Sequence, residues 1–233
     1  MDMHVEKKIV FELNGKSIES FEGETILEAA DRIGVEIPRL CYKEGIRADG
    51  NCRACVVEID GERALAPSCC RYPTDGMKVT SNEGKARHSQ EMVLELLLAD
   101  MPDQKNSPYS LDSELDFWKD KLGVQNSRFP QRHQPGEDES HPAISVHLDA
   151  CIQCTRCVRA CREEQVNDVI GYAWRGTHSA IVFDLDDPMG TSTCVGCGEC
   201  VKACQTGALM QSKEVGQVVP MSLIHISEPT RPY

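Results

Sequence analysis

Apolar and polar residues roughly alternate at the start of the chain. Ile9, Phe11 and Leu13, then Ile18 and Phe21, stand on either side of Asn14-Gly15, a dipeptide suited to a tight turn, with Val10 interrupting the first run. This pattern predicts a β-hairpin. The period then changes. In Glu24-Thr25-Ile26-Leu27-Glu28-Ala29-Ala30, Thr25 or Glu24 stands at a capping position, and Ile26, Ala29, Ala30 and Ile33 share one face as far as Gly34. A short helix packed on the sheet is expected there. Strand-like runs at 54–59, followed by a turn at Asp60-Gly61, and at 78–80 complete a β-rich unit ending near Ser81. Residues 85–99, with Met92, Leu94, Leu96, Leu97 and Leu98, predict an apolar helix against that unit.

Residues 101–142 carry Pro102, Pro108, Pro130, Pro135, Pro142 and the acidic run Glu137-Asp138-Glu139, the pattern of a loop or extended connector. A helical turn is expected between 117 and 122, with Trp118 as a packing anchor. Beyond it the sequence repeats itself: Cys151-x2-Cys154-x2-Cys157-x3-Cys161 is followed by Cys194-x2-Cys197-x2-Cys200-x3-Cys204. Two copies of one spacing imply a pseudo-symmetric fold. The expected organisation is α+β, with domains at 1–84 and 143–215, a helix and Pro-rich connector without cluster ligands at 85–142, and a tail from 216 to 233.

Composition sharpens this picture. The 233 residues include thirteen cysteines and only twelve aromatics, so cofactors are expected to supply part of the stability. A disulfide framework would need an oxidising compartment and a secretory signal. Met1 to Val10 has no apolar segment behind a basic flank, no twin-Arg pair is near it, and no stretch approaches eighteen apolar residues. A cytoplasmic location without a membrane span is therefore expected. Thirty-seven acidic against twenty-five basic residues argue against nucleic-acid binding, which needs clustered Lys and Arg, and suit solubility and partner steering. No Gly-x-Gly-x-x-Gly follows a strand and no nucleophile arrangement occurs, so no catalytic residue is assigned.

A [4Fe-4S] cube needs four converging thiolates, and cysteines at i, i+3 and i+6 wrap three corners while the fourth arrives from elsewhere. Structural zinc also uses Cys-x2-Cys pairs, but a zinc site closes with four ligands and has no use for eight at this doubled spacing. The repeat, ending in Cys204-Gln205-Thr206-Gly207-Ala208-Leu209, resembles bacterial-type two-cluster ferredoxins. In that family the last cysteine of each run serves the other cluster. The resemblance implies one set of Cys151, Cys154, Cys157 and Cys204, and another of Cys194, Cys197, Cys200 and Cys161. Gly196, Gly198 and Gly207 permit close backbone approach to the clusters. Gln205 and Arg162 stand where the family usually has Pro, a departure expected to alter loop stiffness and potential.

The N-terminal unit carries Cys41-x10-Cys52-x2-Cys55-x13-Cys69, a loop plus a distant fourth cysteine, which suits a [2Fe-2S] rhomb. Gly50 and Asn51-Cys52-Arg53-Ala54-Cys55 resemble the cluster loop of complex-I-like and hydrogenase-type ferredoxin domains with a β-grasp fold, and Asp75-Gly76-Met77 follows Cys69 at the offset seen there. That resemblance chooses Cys69 over Cys70 and leaves Cys70 as a small buried or reduced thiol. His88, His141, His147 and His178 are read as non-ligands, and Arg156, Arg159 and Arg162, which flank the first run, as a solvated basic face, the alternative being that they tune its potential or meet a partner.

The domain order resembles the N-terminal part shared by NAD-dependent formate dehydrogenase catalytic subunits, small subunits of NAD-linked hydrogenases, and complex-I-like subunits. Many of these carry a further His-x3-Cys-x2-Cys-x5-Cys cluster, yet no cysteine lies between Cys70 and Cys151. This favours the alpha subunit of a molybdenum or tungsten formate dehydrogenase. The resemblance implies a partner flavoprotein subunit binding FMN and NAD, and molybdopterin-binding domains further along the polypeptide. The alternative is a complete small diaphorase-type subunit of an NAD-linked hydrogenase or complex-I-like oxidoreductase. Finally, Ser222-Leu223-Ile224-His225-Ile226-Ser227-Glu228-Pro229-Thr230-Arg231 resembles the in-frame translation of a transposon adapter used in DNA sequencing libraries. Residues 221–233 are accordingly expected to be non-native, and the native chain to continue past Pro220.

Overall fold

The computed structural model describes residues 8–101, 113–132, 134 and 136–215. Pro102, Pro108, Pro135 and the expected adapter segment lie outside these residues. The chain divides into two compact units, Met1–Leu94 and Glu95–Tyr233.

In the first unit the expected hairpin forms from β1 (Ile9–Leu13) and β2 (Lys16–Ser20), paired antiparallel with Phe11 opposite Ile18. Asn14 and Gly15 both take positive φ, 51° and 77°, the twist that a two-residue turn needs to match its strands. Phe11, Leu13 and Ile18 point into the core while Val10 is exposed, so the interruption in the alternation is a solvent-facing position. Phe21 lies past the strand, with the Arg32 guanidinium 4.8 Å over its ring.

Helix α1 (Ile26–Arg32) begins at a reciprocal capping box: Glu28 N–H donates to the Thr25 hydroxyl, and Thr25 N–H to the Glu28 carboxylate. Glu24, the other capping candidate, instead pairs with Arg32. Ile26, Leu27, Ala29 and Ala30 are buried; Ile33 ends the helix and is 39% exposed, off the expected apolar face. β3 (Val56–Ile59), β4 (Ala66–Pro67) and β5 (Lys78–Thr80) complete a mixed five-stranded sheet in the order β2-β1-β5-β3-β4. The β1–β5 pair is parallel and the others antiparallel.

Helix α2 (Gly84–Asp100) starts in the first unit and ends in the second. Its buried positions toward the first unit are Ala86, Gln90 and Leu94, one every four residues, whereas Leu96 is exposed. The leucine-rich run was therefore a poor guide to the buried face, because the central buried residue is polar. Gln90 Nε2 donates to the carbonyls of Val56 and Ser81, at 2.9 and 2.8 Å.

In the second unit, the segment expected to be a connector with a helical turn contains a nine-residue helix, α3 (Glu114–Leu122). Ser113 caps its first turn and Gly123, at φ 74°, closes it. Leu115, Trp118 and Leu122 form its buried face, so Trp118 is a packing residue. The cysteine repeat then folds as two strand–loop–helix–strand halves. The first comprises β6 (Ile144–Val146), the loop to Cys157, α4 (Arg156–Arg159) and β7 (Ile170–Ala173). The second comprises β8 (Ala180–Phe183), the loop to Cys200, α5 (Glu199–Ala203) and β9 (Leu209–Gln211). β6 pairs with β9 and β7 with β8, both antiparallel, so each half supplies the partner of the other. One asymmetry stands out: α4 continues into a π-turn, Ala160–Glu164, that carries Cys161, whereas Cys204 follows α5 in extended backbone.

Gln90→Leu removes a donor from two carbonyls on different segments. We expect it to cost about 1–3 kcal/mol, read as a lower midpoint with unchanged slope in an anaerobic guanidinium titration. An unshifted midpoint would mean that Gln90 is dispensable to the first unit.

Candidate metal centres

The first centre is built by α1 and the loops around the sheet. The Ile26 and Leu27 N–H groups at the start of α1 donate to the carbonyls of Arg71 and Ser68, which fixes the segment carrying Cys69 and Cys70 to the helix N-terminus. Ser68 returns to Cys55, its N–H and hydroxyl both meeting the Cys55 carbonyl. The Cys41 N–H donates to Cys52 Sγ at 3.3 Å, and Cys55 Sγ lies 3.4 Å from Cys69 Sγ. The four expected thiols thus meet, three of them buried and Cys52 partly so. Cys70 Sγ is 3.5 Å from Cys69 Sγ, but the residue is exposed and lines an open cavity of about 380 Å³ with Tyr42 and Tyr72.

Thiol donors from Cys52 and Cys69 stabilise a thiolate at Cys41 and hold it down to about 2; Cys69 likewise lowers Cys55 to about 7. The same contacts push Cys52 and Cys69 up. The protein alone therefore accommodates only part of the charge that four thiolates would carry.

The second unit brings its eight cysteines around two neighbouring loops. The two loops share one backbone device. Gln153 and Thr155 take φ 56° and 60° in the first, and Gly196 and Gly198 take 67° and 82° at the equivalent positions of the second. Each loop turns an N–H onto its first sulfur: Gln153 to Cys151 at 3.3 Å and Gly196 to Cys194 at 3.4 Å. Leu209 N–H donates to Cys204 Sγ at 3.4 Å. The non-glycine residues of the first loop are held by contacts glycine could not make. The Gln153 side chain bonds Ser179 and the Tyr172 hydroxyl, and the Thr155 hydroxyl donates to the Cys154 carbonyl at 2.7 Å.

Burial pushes the Cys157 thiol up, and so do the charges of Cys151, Cys154 and Cys204, with Cys200 weakest. Cys151 is raised by burial and then by Cys154 and Cys204. Burial takes Cys200 up to about 12, followed by the charges of Cys194, Cys197, Cys204 and Cys161. The charge of Cys204 thus acts on Cys151, Cys154 and Cys157 and also on Cys200, where it precedes that of Cys161. Such desolvated thiols ionise only when a cation compensates them, the chemistry that iron supplies. Among the described residues no set of three or more His, Cys, Asp or Glu side chains is arranged to chelate a single metal ion, so the fit to clusters rests on donor chemistry and placement.

The basic face expected around the first run is corrected. Arg156 and Arg159 are 2% and 4% exposed; only Arg162 is solvent-facing, where it pairs with Asp168. The buried Arg156 guanidinium has a partner the connector was not expected to supply, Glu114, which binds it through both carboxylate oxygens at 2.7 Å, while Arg159 donates to the Cys154 carbonyl at 3.4 Å. The Ser113-x-x-Asp116 capping pattern was the available signal for the helix that carries Glu114. Gln205 is 1% exposed. His141 is buried, with Nδ1 accepting from the Ala143 and Ile144 N–H groups at 3.2 Å. His147 faces Glu137 across 3.7 Å, and burial lowers its pKa.

Residues 6–84 match the 2Fe-2S iron-sulfur cluster binding domain family, and residues 150–209 the 4Fe-4S dicluster domain family. The NADP-reducing hydrogenase subunit HndD of Solidesulfovibrio fructosivorans is 33% identical over 219 residues, which cover 89% of this chain and 37% of that protein. An NADH-quinone oxidoreductase subunit of Rhizobium meliloti (strain 1021) is 35% identical over 203 residues, covering 85% and 23%. Putative formate dehydrogenase SH0748 of Staphylococcus haemolyticus (strain JCSC1435) is 27% identical over 213 residues, covering 89% and 21%. The chain spans less than two fifths of the length of each of these relatives. A chain in the crystal structure of an NAD+-reducing [NiFe]-hydrogenase in the H2-reduced state superposes with a TM-score of 0.82 at 28% identity, over 91% of this chain and 90% of that one. The protein thus carries a 2Fe-2S ferredoxin domain followed by a 4Fe-4S dicluster domain, and is homologous to these oxidoreductase subunits. Among its described residues no helix is long and apolar enough to cross a membrane.

Gly50 takes φ 63°, and a β-carbon there would lie 3.0 Å from Cys70 Sγ. Gly50→Ala is expected to destabilise the first unit by about 1–2 kcal/mol. In a Cys70→Ala background the steric part vanishes and a smaller penalty remains. Guanidinium midpoints of the four-protein cycle measure this coupling, and strict additivity would place Cys70 away from the Gly50 loop.

Proposed function

We propose that this chain is an electron-transfer module holding one [2Fe-2S] cluster on Cys41, Cys52, Cys55 and Cys69, and two [4Fe-4S] clusters. Cys151, Cys154, Cys157 and Cys204 hold the first cubane, and Cys194, Cys197, Cys200 and Cys161 the second. The observation that carries this reading is that these twelve cysteines, six of them buried, all lie inside the two segments that match iron–sulfur domain families. Each bound cluster supplies one-electron uptake and release. The chain's own part is to hold the sulfurs, keep half of them from water, and direct N–H groups onto Cys151, Cys194 and Cys204. Such hydrogen bonds favour the charged sulfur and, with exposure, set potentials. The helix seated on a mixed sheet in the first unit supports the β-grasp reading of that domain.

Within this reading, the chain is the N-terminal part of the alpha subunit of an NAD-dependent formate dehydrogenase. The cysteine-free stretch between Cys70 and Cys151 and the likeness to a putative formate dehydrogenase support that placement. Molybdopterin-binding domains with molybdenum or tungsten, further along the polypeptide, would then oxidise formate, and a flavoprotein subunit carrying FMN and NAD would receive the electrons in the cytoplasm. A second reading, a small diaphorase-type subunit of an NAD-linked hydrogenase, is favoured by the solved hydrogenase chain, which this one covers almost end to end.

Anaerobically purified protein is expected to be brown, with about ten iron atoms per chain and as much acid-labile sulfide. A colourless, zinc-replete protein would end the cluster reading. Cys52→Ser should abolish only the [2Fe-2S] EPR signal and Cys197→Ser should perturb only a cubane; loss of both signals in either variant contradicts the two-domain assignment. Sequencing the source DNA past the codon for Pro220 separates the two placements. A frame continuing into molybdopterin-binding domains supports the formate dehydrogenase, and a stop codon near Tyr233 supports the diaphorase-type subunit.

A further inference from the structure

The two halves of the dicluster unit share a backbone plan but not its electrostatics. Arg156 lies two residues after Cys154 in the first half, and the equivalent residue after Cys197 is Glu199. Gln205 follows the last cysteine of the second half, and its equivalent in the first is Arg162. Because the last cysteines are exchanged between halves, Arg156 and Gln205 both belong to the centre formed by Cys151, Cys154, Cys157 and Cys204. Glu199 and Arg162 belong to the other centre. They are spent on partners near the surface, Glu199 on Lys202 at 3.0 Å and Arg162 on Asp168 at 2.7 Å.

Around Cys154 the corresponding groups are buried and tied together. The Arg156 side chain is 3% exposed, and both its terminal nitrogens bind Glu114 at 2.7 Å. The Glu114 backbone N–H donates to the Gln205 carbonyl at 3.2 Å, so one residue at the start of α3 holds both flanking groups. As whole residues Arg156 and Gln205 are 2% and 1% exposed, two residues from Cys154 and next to Cys204 in the chain, and the Gln205 amide and the Arg156 N–H are hydrogen-bond partners of the Cys154 sulfur. Proline, which two-cluster ferredoxins usually have at this position, brings no side-chain donor. Glutamine adds one.

We propose that Arg156 and Gln205, positioned by Glu114, raise the reduction potential of the first cubane independently of the second; this rests on the cluster assignment given under Proposed function. Reduction adds an electron to a unit that is already anionic. A buried cation and a buried N–H stabilise that charge more than exposed groups do, because water screens the latter. The Glu114 carboxylate offsets Arg156 only in part, since its side chain is 41% exposed.

The test is an anaerobic redox titration of the full chain followed by EPR, with the first cubane's signal identified by its change in Cys151→Ser. Wild-type protein with no cubane signal overturns the cluster reading, and this inference with it. With both cubanes present, Gln205→Leu is expected to make reduction of the first about tenfold less favourable, a drop of about 59 mV for a one-electron couple, and to leave the second unmoved. Arg156→Gln should act in the same direction. Glu114→Gln, which removes the opposing charge, should raise the potential of the first cubane. If Arg156→Gln does not fold, the other two variants decide. The inference is overturned if Gln205→Leu shifts neither potential or both alike, or if Glu114→Gln shifts the first cubane in the same direction as Gln205→Leu.

Discussion

Burying sulfur that has to carry negative charge is the constraint on which the rest of this structure depends. An iron-bound cysteine is a thiolate, and a thiolate away from water needs a compensating cation or donors aimed at it. The chain meets that requirement in fragments: N–H groups turned inward by left-handed residues, thiols that donate to one another, and in one place an arginine and an amide. What remains uncompensated is the share that bound iron takes over. Metal binding and folding are then one equilibrium, which suits a chain with few aromatic side chains to fill its interior.

The constraint also explains why the polar residues inside the two units are where they are. Gln90, Gln205, Arg156 and Arg159 are all nearly inaccessible, and three of them flank the cysteine loops. Sulfur-rich loops lack the regular hydrogen-bond ladders of strands, so side chains from neighbouring elements take over that role. Gln134 donates to the Cys151 carbonyl at 2.7 Å, and Arg159 reaches the Cys154 carbonyl at 3.4 Å. Backbone held this way depends on residues that hydropathy marks as surface.

That dependence separates what could be read in the residues from what could not. Hairpin, capped helix and cysteine repeat were legible because each rests on local chemistry: two positive-φ residues in the turn, Thr25 with Glu28, and a spacing that wraps a cube. The buried stripe of α2 was not, because its middle member is Gln90 and Leu96, Leu97 and Leu98 are exposed or partly exposed. Nor was the burial of Arg156, since the carboxylate that makes it tolerable sits in a proline-rich stretch that read as connector. Charge next to a cysteine run looks the same in sequence whether it faces water or a partner, and only the fold brings Glu114 to it. Gln205 was noticed as a departure from Pro, but what the amide does there depended on the position of Cys154.

The π-turn at Ala160–Glu164 and the Gln153 and Thr155 turns have a consequence for how the two halves could change over generations. If the repeat arose by duplication, the copies began interchangeable, and recombination between them could erase differences. They no longer are. The first loop depends on side chains that reach β7 and the segment before β8, while the glycines of the second have none to offer. Copying the second loop over the first would unfasten it from Tyr172 and Ser179, and the reverse exchange would place side chains where the backbone now runs free of them. The first half has acquired fastenings of its own, so the two copies can no longer stand in for one another.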